Sequence, residues 1–223
     1  MKSRVILGIT AIVLAVSLAV SLWAWGQIPA GAQVPIHWGI NGQANGYAPK
    51  AVGLFLLPGI IAGMGIVFGV LPYIDPRREH QQRSTAARLW IMGAAIIVLG
   101  ALHVAAVLTA VGAPVDIGQV VVIALGALYL VIGNFLGKTR SNWFIGIRTP
   151  WTLSSEVAWS RSHRLGGYLS MAAGVVSIIL GLVAPPAVSA FGLIGSAAVA
   201  GILPVVYSYF AWRSDPHRSG FGG

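Results

Sequence analysis

The amino-acid sequence predicts an all-α polytopic membrane protein of six transmembrane helices with both termini cytoplasmic, and three observations carry that expectation. Charged residues make up 9% of the 223-residue chain and hydrophobic residues 57%, with a mean hydropathy of +0.82; a soluble domain averages about 25% charged residues. Six apolar stretches approach or exceed the roughly 20 residues that a helix needs to cross the hydrocarbon core. With both ends placed inside, 13 of the 14 Lys and Arg residues fall on the cytoplasmic side and only Lys50 falls outside, as the positive-inside bias requires. The net charge of +9 is thereby explained by orientation, and no direct nucleic-acid binding is expected. The absence of cysteine removes disulfides, thiolate nucleophiles and Cys-ligated metals.

The first helix is Val5 to Trp25, behind Lys2 and Arg4, with Trp23 and Trp25 at the far interface. Its rival is a signal peptide cut near Ala30-Gly31-Ala32, but the apolar run exceeds the usual h-region of about 7–15 residues. A polar loop, Gln27 to Lys50, leads to the second helix, Ala51 to Tyr73. That helix carries Gly59 with Gly63 and Gly65 with Gly69, a small-residue spacing that lets helices approach closely. Asp75 to Arg88 reads as a short hydrophilic loop with Arg77, Arg78, Arg83 and Arg88. The third helix is Leu89 to Val111, and the fourth is Gly118 to Leu136 after a loop with Pro114 and Asp116. The fifth is Gly166 to Ala184; Pro185-Pro186 break it from the sixth, Val188 to Trp212, which holds Pro204. The tail from Arg213 reads as loose.

Between the fourth and fifth helices, Gly133 to Gly167 is the longest run that does not read as lipid-facing helix, and it holds five basic residues and three tryptophans. Pro150 disfavours helix at Thr149. Ser154 is a candidate N-cap with Glu156 in the first turn. Glu156, Trp159 and His163 then share one face of a short interfacial helix. The candidate docking residues are Asn134, Asn142, Arg148, Thr149, Pro150, Trp151, Thr152, Glu156, Trp159, His163 and Arg164. Against docking stands a simpler reading in which arginines snorkel, tryptophans anchor and hydroxyls cap. Ser154, Glu156 and His163 would be the only triad available here, and neither a nucleophile elbow nor metal-ligand spacing supports one. No catalytic residue, metal or cofactor is expected.

In the outer loop Pro35, His37, Trp38, Gly39, Gly42, Gly46, Tyr47 and Lys50 combine turn-forming glycines with aromatic faces and polar donors. They suit either contact with an extracytoplasmic peptide or lipid headgroup, or an ordered turn anchored at the interface. His103 is the one ionisable residue placed deep in a helix, which makes it a functional candidate or a neutral histidine bonded to a neighbouring helix. No Asp, Glu, Lys or Arg falls within the predicted spans, against an ion-coupled transporter.

Gly133-Asn134, Gly137-Lys138, Asn142, Gly146-Ile147-Arg148-Thr149-Pro150-Trp151-Thr152-Leu153-Ser154, then Trp159 and His163-Arg164-Leu165-Gly166-Gly167, together resemble the signature of the Sdp immunity protein family of bacterial membrane proteins. The loop from Pro35 to Lys50, with its two helices, is similar to the small uncharacterised domain that often precedes it. The resemblance implies a two-helix domain over 1–75 and a four-helix immunity domain over 89–212 with its motif loop at 137–165. It also implies a multi-pass plasma-membrane protein that resists a secreted killing peptide and holds a repressor protein at the membrane. Its expected partners are the lipid bilayer, an extracytoplasmic peptide toxin and that cytoplasmic repressor. A small-molecule or lipid transporter or channel, or a scaffold without an immunity role, are the competing readings, drawn from the many glycines and kinking prolines.

Overall fold

The computed structural model describes residues 3–74, 78–143 and 145–218. Lys2, Asp75 and Arg77, used above, lie outside the described residues. The elements in chain order are α1 (Ser3–Gln27), β1 (Gln33–Trp38), β2 (Ala44–Pro49), α2 (Lys50–Ile74), α3 (Arg78–Ala110), α4 (Ile117–Leu136), α5 (Pro150–Leu153), α6 (Glu156–Val183) and α7 (Pro186–Arg213). Six of the helices are long and apolar enough to cross a membrane, namely α1, α2, α3, α4, α6 and α7. Six successive crossings put the start of α1, the end of α7 and the α4–α6 connection at one end and the β1–β2 hairpin at the other. The large exposed side chains of the spans, such as Ile12, Ile66 and Val183, belong against lipid.

Two boundaries differ from expectation. The hydrophilic loop expected over 75–88 is helical from Arg78, because its Ala, Gln, Glu and Arg residues are good helix formers; the apolar span begins only at Ser84. The short interfacial helix and the fifth span are one continuous helix, α6. Gly166 and Gly167 do not break it. They lie inside the packing instead, where a methyl on Gly167 would reach 2.9 Å from the Gly133 carbonyl oxygen.

That contact is part of a seam. Gly126 and Gly133 on α4 face Gly167, Gly174 and Gly181 on α6, each set spaced by seven residues. A methyl on Gly174 would lie 2.7 Å from the Gly126 carbonyl, and one on Gly133 would lie 2.7 Å from that of Gly167. Lipid tails are as apolar as leucine, so close backbone approach is what holds such helices together. On α2 the two expected glycine pairs part company. Gly65 and Gly69 pack on Thr10 and Leu7 of α1, whereas Gly59 and Gly63 have nothing within 4 Å. Asp116 caps α4 by accepting from Gln119 N–H at 3.0 Å, and the Pro185-Pro186 break stands, with Pro186 opening α7 at the position where proline costs nothing.

His103 on α3 is fully buried. Its Nε2–H donates to the Ser17 carbonyl at 3.2 Å and to Ser21 Oγ at 2.9 Å, and the Ser21 hydroxyl in turn donates to the Leu54 carbonyl at 2.6 Å. One histidine thus ties α1, α2 and α3 together near the hairpin end. His103→Leu is expected to lower the melting temperature in detergent, at a cost of about 1–2 kcal/mol for the lost bonds; an unchanged melting point would show that the tie carries no stability.

Candidate functional site

The stretch from Gly137 to Ser155, with the start of α6 and the end of α7, forms the end of the molecule opposite the hairpin. After α4 the chain turns on Gly137, and Arg140 N–H donates to Ser84 Oγ of α3 at 2.8 Å. Asn142 folds the loop around itself: its Oδ1 accepts from Ile145 N–H at 2.7 Å, and its Nδ2 donates to the Arg140 and Ile145 carbonyls at 2.8 and 3.1 Å. Such amide-to-backbone bonds are how asparagine shapes turns.

Gly146 follows with φ +117°, and a methyl there would fall 2.2 Å from His163 Nε2. Only glycine fits both conditions. His163 is wholly buried on α6. Its Nδ1–H donates to the Trp159 carbonyl at 2.8 Å, so Nε2 is the unprotonated atom and accepts from Ile147 N–H at 2.9 Å. The Trp159 ring stacks on the imidazole with centroids 3.9 Å apart and planes 16° from parallel, and its Nε1–H donates to the Thr139 carbonyl at 3.0 Å. Two side chains one turn apart on α6 therefore clamp the loop at two places.

Thr149 N-caps α5 in the extended conformation that the following proline imposes. Thr149 and Thr152 cap each other reciprocally, Thr149 Oγ1 meets Ser208 Oγ of α7 at 3.0 Å, and Thr152 Oγ1 donates to the Ile147 carbonyl at 2.8 Å. Trp151 meets Tyr209 of α7 edge-on at 5.4 Å. The N-cap of α6 is Ser155, not Ser154: Ser155 Oγ accepts from Ala158 N–H at 2.9 Å, while Ser154 closes α5 and donates to the Pro150 carbonyl at 2.7 Å. The short α5 consumes the residues that would otherwise extend into the α6 cap.

The expected candidates therefore separate into two groups, with Trp151 half-buried between them. Asn142, Thr149, Thr152, Trp159 and His163 are buried, and their side chains bond to backbone groups of the loop and of the helices that hold it. Asn134, Arg148, Pro150, Glu156 and Arg164 are exposed, with Arg148 donating to the Trp143 carbonyl and Asn134 accepting from Lys138 Nζ at 3.2 Å. Glu156, Trp159 and His163 do not form one outward face: Glu156 is exposed, whereas Trp159 and His163 are buried. Because α6 continues to Val183, its first turns stand in the bundle end beneath the folded loop instead of lying flat on the membrane. Both nitrogens of His163 are committed to backbone, so Ser154, Glu156 and His163 do not form a triad.

The tail, expected to be loose, is held as far as Arg218. Ser155 Oγ donates to Asp215 Oδ2 at 2.5 Å, His217 N–H donates to Asp215 Oδ1 at 2.9 Å, and the Arg218 guanidinium lies 5.1 Å over the Trp212 ring. The Ser155 hydroxyl, then the His217 amide, hold the Asp215 carboxyl below its ordinary pKa. A lowered folded-state pKa contributes stability that is present above the unfolded value and lost as pH falls through the folded one. The tail is expected to stay docked at neutral pH and to release below about pH 4. Hydrogen exchange at His217 and Arg218, corrected for intrinsic rates, checks this: Asp215→Asn should abolish the extra pH dependence, and identical profiles would sink it.

At the other end the expected loop is an antiparallel hairpin with irregular register around His37. Gly42 at its tip has φ +79°, whereas Gly46 sits opposite His37, whose Cβ a methyl would meet at 2.9 Å; Gly39 keeps an ordinary negative φ. His37 Nδ1–H donates to Asn45 Oδ1 at 2.5 Å, and Lys50 Nζ donates to the Ile28 carbonyl at 2.5 Å beneath the Trp25 ring. Tyr47, Ile36 and Ile40 point outward, Pro35 pairs with Tyr47, and the tip rests on Pro186 and Gly118 near Trp38. Sequence patterning missed the hairpin because Gly46 and two prolines dilute the strand signal.

Comparison with known proteins matches these two ends. Residues 138–208 match the SdpI/YfhL protein family, and residues 12–62 match a domain of unknown function, DUF1648. The chain is 24% identical over 172 residues, 77% of its own length and 79% of the relative's, to Immunity protein SdpI of Bacillus subtilis (strain 168). No solved structure matches the chain. The six spans and this similarity make it a multi-pass plasma-membrane protein in contact with the lipid bilayer.

Proposed function

We propose, for a chain that resembles the SdpI/YfhL family over its motif loop and last two spans and carries a DUF1648 region ahead of them, a role as a non-enzymatic membrane immunity protein. It protects the cell that makes it against a secreted antimicrobial peptide. The observation that carries this reading is similarity to an immunity protein across both halves of the chain, not one motif alone. The buried Trp159–His163 clamp supports a structural role for the motif, since its polar atoms are already bonded to backbone. We assign 1–75 and 89–212 as the two working domains, with both termini cytoplasmic. The hairpin, with exposed His37, Ile36, Ile40 and Tyr47, is then the surface that meets the peptide.

Expressing the protein in a sensitive bacterium and challenging it with the killing peptide tests the reading. Cells with the inserted protein are expected to survive a dose that kills the vector control; unchanged killing would overturn the immunity role. A signalling role rests on the outward Arg148, Glu156 and Arg164 around the motif, which we infer to dock a cytoplasmic repressor. Arg148→Ala should reduce capture of that repressor from lysate at equal membrane levels, and a wild-type protein that captures none would remove the docking half.

A further inference from the structure

A groove of about 310 Å³ runs along the lipid side of the α3–α4 pair, at the end that carries the motif loop. Trp90, Gly93 and Ile97 of α3 and Ala127, Leu128 and Val131 of α4 line it. Ile9 of α1 packs over Gly93, 3.3 Å from where a methyl there would lie, the exposed Ala127 leaves the α4 side of the floor open, and from Leu128 to Phe135 the α4 wall rises about 10 Å. At its upper end Trp90 stacks on Phe135, with centroids 5.6 Å apart and planes 11° from parallel. Lys138 Nζ lies 4.9 Å over that Phe135 ring and donates to Asn134 Oδ1 at 3.2 Å. An ammonium has three donors, and Lys138 is exposed. Arg140, with its amide fixed to Ser84 of α3, adds a second exposed basic residue at the same end.

An apolar channel within the membrane-spanning layer, closed by an aromatic pair and topped by a cation, has the order of parts of a phospholipid: acyl chain, interface, phosphate. We propose that this groove is a binding site for one anionic phospholipid, with an acyl chain between α3 and α4 and the phosphate at Lys138. Charge selects the occupant. Zwitterionic lipid brings no net charge to the lysine, and a second copy of this chain would bring its own excess of basic residues. The site is separate from the proposed immunity role, and its test reads lipid and not survival.

Purified protein in detergent is mixed with equal amounts of phosphatidylglycerol and phosphatidylcholine of identical chains, and retained lipid is counted by native mass spectrometry. Wild type is expected to keep one phosphatidylglycerol per chain in preference to phosphatidylcholine. Lys138→Gln should lower that retention about five-fold, the effect of one basic residue at an anionic surface, and Lys138→Arg should restore it. Ala127→Phe, which fills the groove from an exposed position, should lower retention of both lipids. Equal retention of the two lipids, or no change in Lys138→Gln, overturns the proposal. So does a lipid-free dimer that Ala127→Phe dissociates, which would assign the groove to a second copy. If Ala127→Phe does not fold, the Lys138 pair decides alone.

Discussion

Replacing Gly133 with leucine is expected to separate α4 from α6 and abolish the folded membrane protein. A first carbon at this position would already lie 2.5 Å from Met171 Cγ, 2.6 Å from Met171 N and 2.7 Å from the Gly167 carbonyl oxygen. Two of those three atoms are backbone, so no rotamer change relieves them. Ordinary overpacking costs about 1–3 kcal/mol when side chains can shift; here a helix must move, and the cost exceeds that range. Gly59→Leu on α2 is the matched control, since nothing lies within 4 Å of it, and it should change stability by no more than about 0.5 kcal/mol. Thermal unfolding in detergent, followed by tryptophan fluorescence, compares the two. Equal effects would mean that leucine in a span, not the α4–α6 contact, is what the protein resists.

The second large effect is expected at Gly146. Alanine there meets two separate obstacles, a φ of +117° and a distance of 2.2 Å to His163 Nε2. The first costs about 1–2 kcal/mol by itself; the second displaces either the imidazole or the loop, with its bonds to Trp159 and Ile147. Loss of those bonds leaves buried backbone groups unpaired at about 1–3 kcal/mol. A double-mutant cycle separates the terms. In a His163→Ala background the ring is gone, so Gly146→Ala should cost only the backbone term. Tryptic cleavage at Arg140 and Arg148 reports the loop: both single variants should be cut faster than wild type, and the double variant faster than His163→Ala alone only by the backbone term. Additive effects would place the clash outside the energetics of the loop.

The motif was legible as a cluster, but not as an arrangement. Its residue types announced a specialised stretch, because neither orientation nor lipid anchoring requires Asn142, Thr149, Thr152 and His163 at those spacings. Spacing along one helix, however, cannot tell a face turned to water from one turned to a loop that folds back over it. Trp159 and Glu156 share that periodicity, yet Trp159 lies in the clamp and Glu156 beside the tail cleft. The same holds for glycines. Gly59-Gly63 and Gly65-Gly69 have identical spacing on α2, and only the second pair meets a neighbour. Ser155 was passed over for Ser154 because α5, a single turn held by Thr149 and Thr152, is too short to leave a periodic trace. The missed link from Ser155 to Asp215 joins residues 60 apart in the chain, for which one sequence offers no signal.

The number of spans and their order were determined by the sequence alone. A backbone in hydrocarbon must satisfy its own hydrogen bonds, so each apolar window near 20 residues becomes a helix whatever surrounds it. What only the tertiary structure decided is which side chains those helices turn toward each other: the glycine seam of α4 and α6, the His103 tie between α1 and α3, and the Trp159–His163 clamp. These depend on close backbone approach and on hydrogen bonds between distant segments, and such contacts exist only once the helices have met.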